Sequence, residues 1–153
     1  RGTPCTAGAI CCGKVYCVHI GDSRLYIYNK NGLRQITKDH SFVMEMVRLG
    51  KITMEEARVH PQKNMITRAV GIGETVEIDD YHLNIEDLVR VLLCSDGLTN
   101  MVSDLEIMSI LSDKSSVEET ATRLVQTANE NGGKDNISVI VIDFTGEVSD
   151  QNA

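Results

Sequence analysis

The chain is 153 residues long, 42% hydrophobic and 24% charged, which suits a globular protein with one sizeable core and need not amount to a whole domain. Its formal net charge of −7 argues against a nucleic-acid backbone as the main partner, because phosphate binding needs clustered Lys and Arg. No apolar run approaches the roughly 18 residues of a membrane-spanning helix, and no basic-then-apolar start reads as a signal peptide.

Phosphorylated substrates stay open despite the acidic charge, since bound divalent cations reverse the sign of a site locally. The chain opens on Arg1 rather than Met, so its natural N-terminus is expected to lie upstream. The five cysteines, Cys5, Cys11, Cys12, Cys17 and Cys94, form no Cys-x-x-Cys pair. They read as small buried hydrophobes of a reducing cytoplasm rather than as zinc ligands.

In chain order, residues 6–36 read as β-rich, with short β-branched and aromatic runs divided at Gly13, at Gly21-Asp22-Ser23 and at Asn29 to Gly32. That pattern predicts an antiparallel meander. Residues 41–66 turn helical, with Val43, Met46, Val47 and Leu49 as a stripe and Thr53 with Glu56 as a second start, stopped at His60-Pro61. Strands are predicted again at about 75–83 and 88–94. Ser103-x-x-Glu106 and Ser116-x-x-Glu119 each open a helix, the second ending near Asn131-Gly132-Gly133. The run Ile137 to Phe144 is nearly all apolar and predicts a strand in the middle of a sheet. The residues after Gly146 read as a polar tail. Strands and helices in this order indicate an α+β fold.

Three aspartates share a setting. Asp22 follows the run Val15 to Ile20, Asp96 follows Val91 to Cys94, and Asp135 precedes the strand that begins at Ile137. If the strands at 88–94 and 137–143 pair antiparallel, Asp96 and Asp135 meet at one sheet end. Gly21, Ser23, Ser95 and Gly97 leave room there for a hydrated ion. Clustered carboxylates repel unless a cation joins them, and an all-oxygen set suits Mg²⁺ or Mn²⁺. Each Asp-Gly or Gly-Asp taken singly is an ordinary turn, so only the combination points to a metal site. Gly132-Gly133-Lys134 lacks the rest of a phosphate loop, and Gly71-Ile72-Gly73 lacks the rest of a dinucleotide fingerprint. For His40 and His60 a hydrogen-bonded or exposed histidine is the ordinary reading, as a structural ion pair is for Arg68.

Taken together, Gly21-Asp22-Ser23-Arg24, Asp39-His40-Ser41, His60-Pro61 with Thr67-Arg68-Ala69-Val70-Gly71, Ser95-Asp96-Gly97-Leu98-Thr99 and Gly133-Lys134-Asp135-Asn136 resemble the PPM (type 2C) protein phosphatases, in particular their bacterial branch. The resemblance runs from about Gly2 to Phe144. It implies an antiparallel β-sandwich flanked by helices, an α+β fold here incomplete at its N-terminus. Residues 1–146 would be the C-terminal part of a single catalytic domain, 41–66 a variable flap beside the active site, and 147–153 the tail.

The resemblance further implies that Asp96 and Asp135 are ligands of a two-metal centre of Mg²⁺ or Mn²⁺. Asp22 would help hold a third, weaker ion, with Asp96 shared between sites. Asn100 stands where some relatives carry another acid, which bears on that third site. The implied activity is hydrolysis of phosphoserine and phosphothreonine in proteins by a metal-bridging water. No side chain of this chain would attack phosphorus, and the phosphate-binding arginine is expected upstream. The family's Glu-Asp pair and Asp-Gly-x-Gly-Gly segment are also absent from this sequence. The parent protein is therefore expected to be active and this stretch alone inactive, with apolar sheet surface left uncovered. A cytoplasmic monomer opposing a serine/threonine kinase is the implied setting. The rival expectation is a noncatalytic relative that binds a phosphoprotein without cleaving it.

Overall fold

The computed structural model describes residues 2–145, so the predicted polar tail at 147–153 lies outside the described residues. Seven strands and five helices follow in the order β1 (Cys5–Cys11), β2 (Lys14–Ile20), β3 (Arg24–Asn29), β4 (Gly32–Gln35), α1 (Phe42–Arg48), α2 (Met54–Val59), β5 (Asp79–Asn84), β6 (Arg90–Cys94), α3 (Asp96–Thr99), α4 (Asp104–Ser112), α5 (Val117–Glu130) and β7 (Val139–Asp143). A 3₁₀ turn, Ile85–Asp87, leads into β6.

The strands form two antiparallel sheets, β1-β2-β5 and β4-β3-β6-β7. Alternation along the strands decides which residues face which layer. Val15, Cys17, Leu25, Ile27 and Val91 fill the space between the sheets, closed at the side by Leu88. Tyr26, Leu92 and Cys94 point the other way, onto Leu98 after β6, Ile107 and Leu111 of α4 and Leu124 and Ala128 of α5. The molecule is thus a sandwich with helices on one outer face. The other outer face, on the first sheet, exposes Tyr16 and Val18.

Local signals set the helix starts. Thr53, Ser103 and Ser116 each accept a hydrogen bond from the backbone N–H three residues on, and Glu56, Glu106 and Glu119 accept one from the cap N–H in return. Ser41 caps α1 alone, through the Met44 N–H.

Four expectations need correction. The β-rich N-terminal stretch is not one meander: β1–β2 and β3–β4 are hairpins of different sheets, and the chain changes sheet at Gly21-Asp22-Ser23. Strand β5 starts only at Asp79, after a run of turns. Among the described residues β7 pairs only with β6 and lies at a sheet edge, with Ile140 exposed. Burial holds for Cys17 and Cys94, whereas Cys5, Cys11 and Cys12 are exposed.

Candidate metal centre

Strand register brings the three aspartates to one end of the second sheet. Cys94 at the end of β6 pairs with Arg24 at the start of β3 on one side and with Val139 at the start of β7 on the other. Asp22 lies two residues before Arg24, Asp96 two after Cys94, and Asp135 four before Val139. The antiparallel pairing of β6 with β7, on which the meeting of Asp96 and Asp135 depended, is the observed one.

Asp96 does not sit in a turn, as its Asp-Gly context suggested, but opens the short helix α3 behind Ser95. Ser95 fastens this corner to the Asp135 loop. Its hydroxyl donates to the Asn136 carbonyl at 3.1 Å and accepts the Ser138 N–H at 3.0 Å, and its own N–H reaches the Ser138 carbonyl at 3.0 Å. Gly97 is buried against the same loop, so close that a Cβ there would overlap the Asn136 carbonyl oxygen. Gly97→Ala is therefore expected to push the Asp96 and Asp135 loops apart. The expected cost is about 1–3 kcal/mol in urea unfolding, with weaker Mn²⁺ binding by calorimetry. Unchanged values for both would mean that the contact does not set the spacing.

Electrostatics carries the mark of the gathering. Burial first, then the charge of Asp96, pushes the Asp22 carboxyl up to about 6. Burial and then Asp135 likewise raise the Asp96 carboxyl above the usual range. Asp96 is thus the common member of two repelling pairs. Among the described residues, no three His, Cys, Asp or Glu side chains come close enough to hold an ion unaided. The donors suit a hard divalent cation, which would relieve both repulsions, but they make a partial cage. Asn100 touches the site directly, its Nδ2 lying 3.5 Å from Asp96 Oδ2.

Beside these acids lies a cavity of about 390 Å³, walled by Asp22 and Asp96 on one hand and by Met44, Met54, Arg58 and Lys63 on the other. The latter four belong to the segment 41–66. Arg24, also in the wall, is not free for a ligand. It holds Asp39 through Nε at 2.9 Å and Nη2 at 2.6 Å, and its Nη1 donates to the Tyr26 hydroxyl at 2.9 Å. The Tyr26 hydroxyl in turn donates to Asp104 Oδ1 at 3.0 Å, tying β3 to α4. This brace was not read from the sequence, although both Arg24 and Asp39 lie in motifs quoted above.

Three other residues are structural. Arg68 spans Glu77 at 3.4 Å and Asp79 at 3.3 Å. Cys94 is buried and its thiol is pushed up to about 12 by desolvation, which removes it as a nucleophile. His60 is the C-cap of α2, its ring accepting the Gln62 N–H at 3.1 Å.

Comparison with known proteins gives a consistent result. The profile of the family described as protein phosphatase 2C matches residues 5–137. The serine/threonine phosphatase stp of Listeria welshimeri is 42% identical over 142 residues, covering 93% of this chain and 56% of that protein. A bacterial serine phosphatase crystal structure superposes with a TM-score of 0.90 at 38% identity, over 94% of this chain and 58% of the other. The catalytic domain of the phosphatase PstP, solved in complex with two manganese ions, gives 0.81 at 41% identity, over 93% and 58%. The chain thus spans less than two thirds of the length of the relatives it matches.

Proposed function

The chain belongs to the protein phosphatase 2C family, and we propose that in its full-length protein it supplies the Asp22, Asp96 and Asp135 side of a divalent-metal site that hydrolyses phosphoserine and phosphothreonine in proteins. The observation that carries the reading is the strand register that gathers the three aspartates at one sheet end, where burial and then the neighbouring carboxylate raise the Asp22 and Asp96 carboxyls. When bound, divalent cations there supply Lewis-acid stabilisation of the phosphoryl charge. Asp96, which feels both neighbours, is the ligand we assign to more than one ion. Asp135 joins it from the β7 side and Asp22 from the sheet crossing, where a third and weaker ion would sit.

The remaining side chains shape the approach of substrate. Arg58 and Lys63 put two cations into the cavity wall, which favours a dianionic phosphoryl group or acidic residues beside it. Met44 and Met54 offer adaptable apolar surface to a neighbouring substrate side chain. We assign residues 41–66 the part of a flap over this cavity. On the same reading the protein opposes a serine/threonine kinase, in the cytoplasm and as a monomer. Three carboxylates in a partial cage hold metal weakly, so residues 1–153 alone are expected to release little phosphate.

The test is phosphate release from a phosphothreonine peptide by the full-length protein in Mn²⁺, in Mg²⁺ and in chelator. Release that requires the metal supports the reading, and the better cation identifies the physiological one. A folded protein that binds the peptide but releases nothing in either metal would replace it with the noncatalytic phosphoprotein binder.

A further inference from the structure

A second polar cluster lies buried next to the sheet crossing and takes no part in the site described so far. His40 is 5% exposed and every polar group it owns is engaged. Its backbone N–H donates to the Gly21 carbonyl at 2.7 Å, and its carbonyl accepts the Thr67 N–H at 2.8 Å. Its Nδ1 accepts the buried Gly21 N–H at 3.1 Å, and its Nε2 lies 3.0 Å from Asp79 Oδ2. A backbone N–H can only donate, so Nδ1 must be unprotonated and the proton must sit on Nε2, facing Asp79.

Asp79 is itself built in. Arg68 and Tyr81 donate to it at 3.3 Å and 3.2 Å, and the carboxyl stays below its usual range despite partial desolvation. The His19 ring lies tilted against that of His40, with centroids 4.9 Å and planes 34° apart. Gly21 meanwhile has φ of +107° and packs so tightly on Pro4 that no side chain fits. His40 thus grips both polar groups of Gly21, whose glycine-only backbone conformation leads the chain into Asp22.

We propose that His40 is a positioning residue, which locks the Gly21 corner and so fixes Asp22 at the cavity edge, with Asp79 setting its tautomer. The claim that this serves metal binding rests on the reading above; the claim that His40 orders the corner does not. The Gly21 N–H is buried, so its bond to Nδ1 cannot be exchanged for water without cost. The same histidine carries the Thr67 contact at the far end of segment 41–66, so the corner and the base of that segment share an anchor.

The test separates the two ring nitrogens in the full-length protein. Asn at position 40 can place Oδ1 where Nδ1 lies, whereas Gln reaches toward the Nε2 position. His40→Asn is expected to keep Gly21 amide protection and the affinity of the weak, Asp22-dependent Mn²⁺ site within about threefold. His40→Gln is expected to lose about tenfold in each. On an Asp22→Asn background His40→Gln should cost no further Mn²⁺ affinity, an epistasis that a general loss of stability would not produce.

Should His40→Gln fail to fold, Asp79→Ala carries the test. Its ¹⁵N spectrum should show His40 losing the pure Nε2–H form expected of the native protein, with faster Gly21 exchange. Equal behaviour of the Asn and Gln variants, or a protonated Nδ1 in the native protein, would overturn the proposal. A native protein that binds no Mn²⁺ would instead sink the metal reading and the service to it, and Gly21 exchange alone would then decide whether His40 orders the corner.

Discussion

Asp96→Asn in the full-length protein is expected to reduce metal-dependent phosphate release about a hundredfold or more if Asp96 is the shared ligand proposed above, since such a ligand contributes several kcal/mol of transition-state stabilisation. The fold should survive, because Asn keeps the shape and the contact with Asn100. Stability in chelator gives a second, opposite reading. The folded carboxyl of Asp96 is raised, so the folded state binds its proton more tightly than the unfolded chain. The stability linked to that proton is complete below the unfolded value, near 4, and is lost as pH rises through the folded one. At neutral pH without metal the ionised Asp96 is a burden, and Asn removes it. Melting in chelator at pH 7 should therefore match or exceed the native temperature while activity collapses. A variant that loses both together has merely unfolded, and one that keeps its activity would move the site elsewhere.

Arg90→Met is expected to have the largest effect on stability, about 3–5 kcal/mol in urea unfolding. Arg90 is 5% exposed on β6 and spreads its donors over three elements. Nε meets Asp143 of β7 at 2.8 Å, and Nη1 reaches the Leu111 and Asp113 carbonyls and the Thr120 hydroxyl at 3.2, 2.9 and 3.1 Å. Nη2 donates to the Ser115 carbonyl at 2.6 Å. It therefore satisfies the end of α4 and the link to α5, whose carbonyls have no helical partners. Methionine fills much of the volume but leaves the three carbonyls without this donor, while Asp143 keeps only Thr145. The Asp143 carboxyl lies below its usual range against partial desolvation, held by Thr145 and Arg90. A depressed carboxylate stabilises above its unfolded value and loses that contribution as pH falls through the folded one. Native stability should thus fall on acidification below about pH 4, and the methionine variant should show less of that fall. A loss under 1 kcal/mol would mean that water replaces the guanidinium at little cost.

What the sequence disclosed was local chemistry. The Ser103/Glu106 and Ser116/Glu119 pairs named the starts of α4 and α5 because a capping box is complete within four residues. Helix α3 escaped notice because it is four residues long and contains Gly97, whose role is close approach rather than propensity. The sheet change at Gly21-Asp22-Ser23 was hidden because a hairpin and a crossing begin with the same turn residues. The apolar run at β7 suggested a central strand, yet Val139 and Val141 pack toward the helices, Ile142 toward the other sheet, and Ile140 is left exposed. That Asp22, Asp96 and Asp135 gather at one sheet end was legible because each borders a strand. The His40–Asp79 pair was not, since 39 positions separate partners whose meeting depends on how β5 joins the first sheet.

The brace running from Asp39 through Arg24 and Tyr26 to Asp104 also gives the molecule a built-in optical probe. The chain has no tryptophan, and of its four tyrosines Tyr26 alone is fully buried, with its hydroxyl held at both sides. An immobilised phenol in an asymmetric setting should dominate the near-ultraviolet circular dichroism, so that band follows the wall of the cavity. Burial holds the Tyr26 hydroxyl well above the ordinary phenol range. In strong alkali its phenolate absorbance should thus appear only when the helices come away from the second sheet.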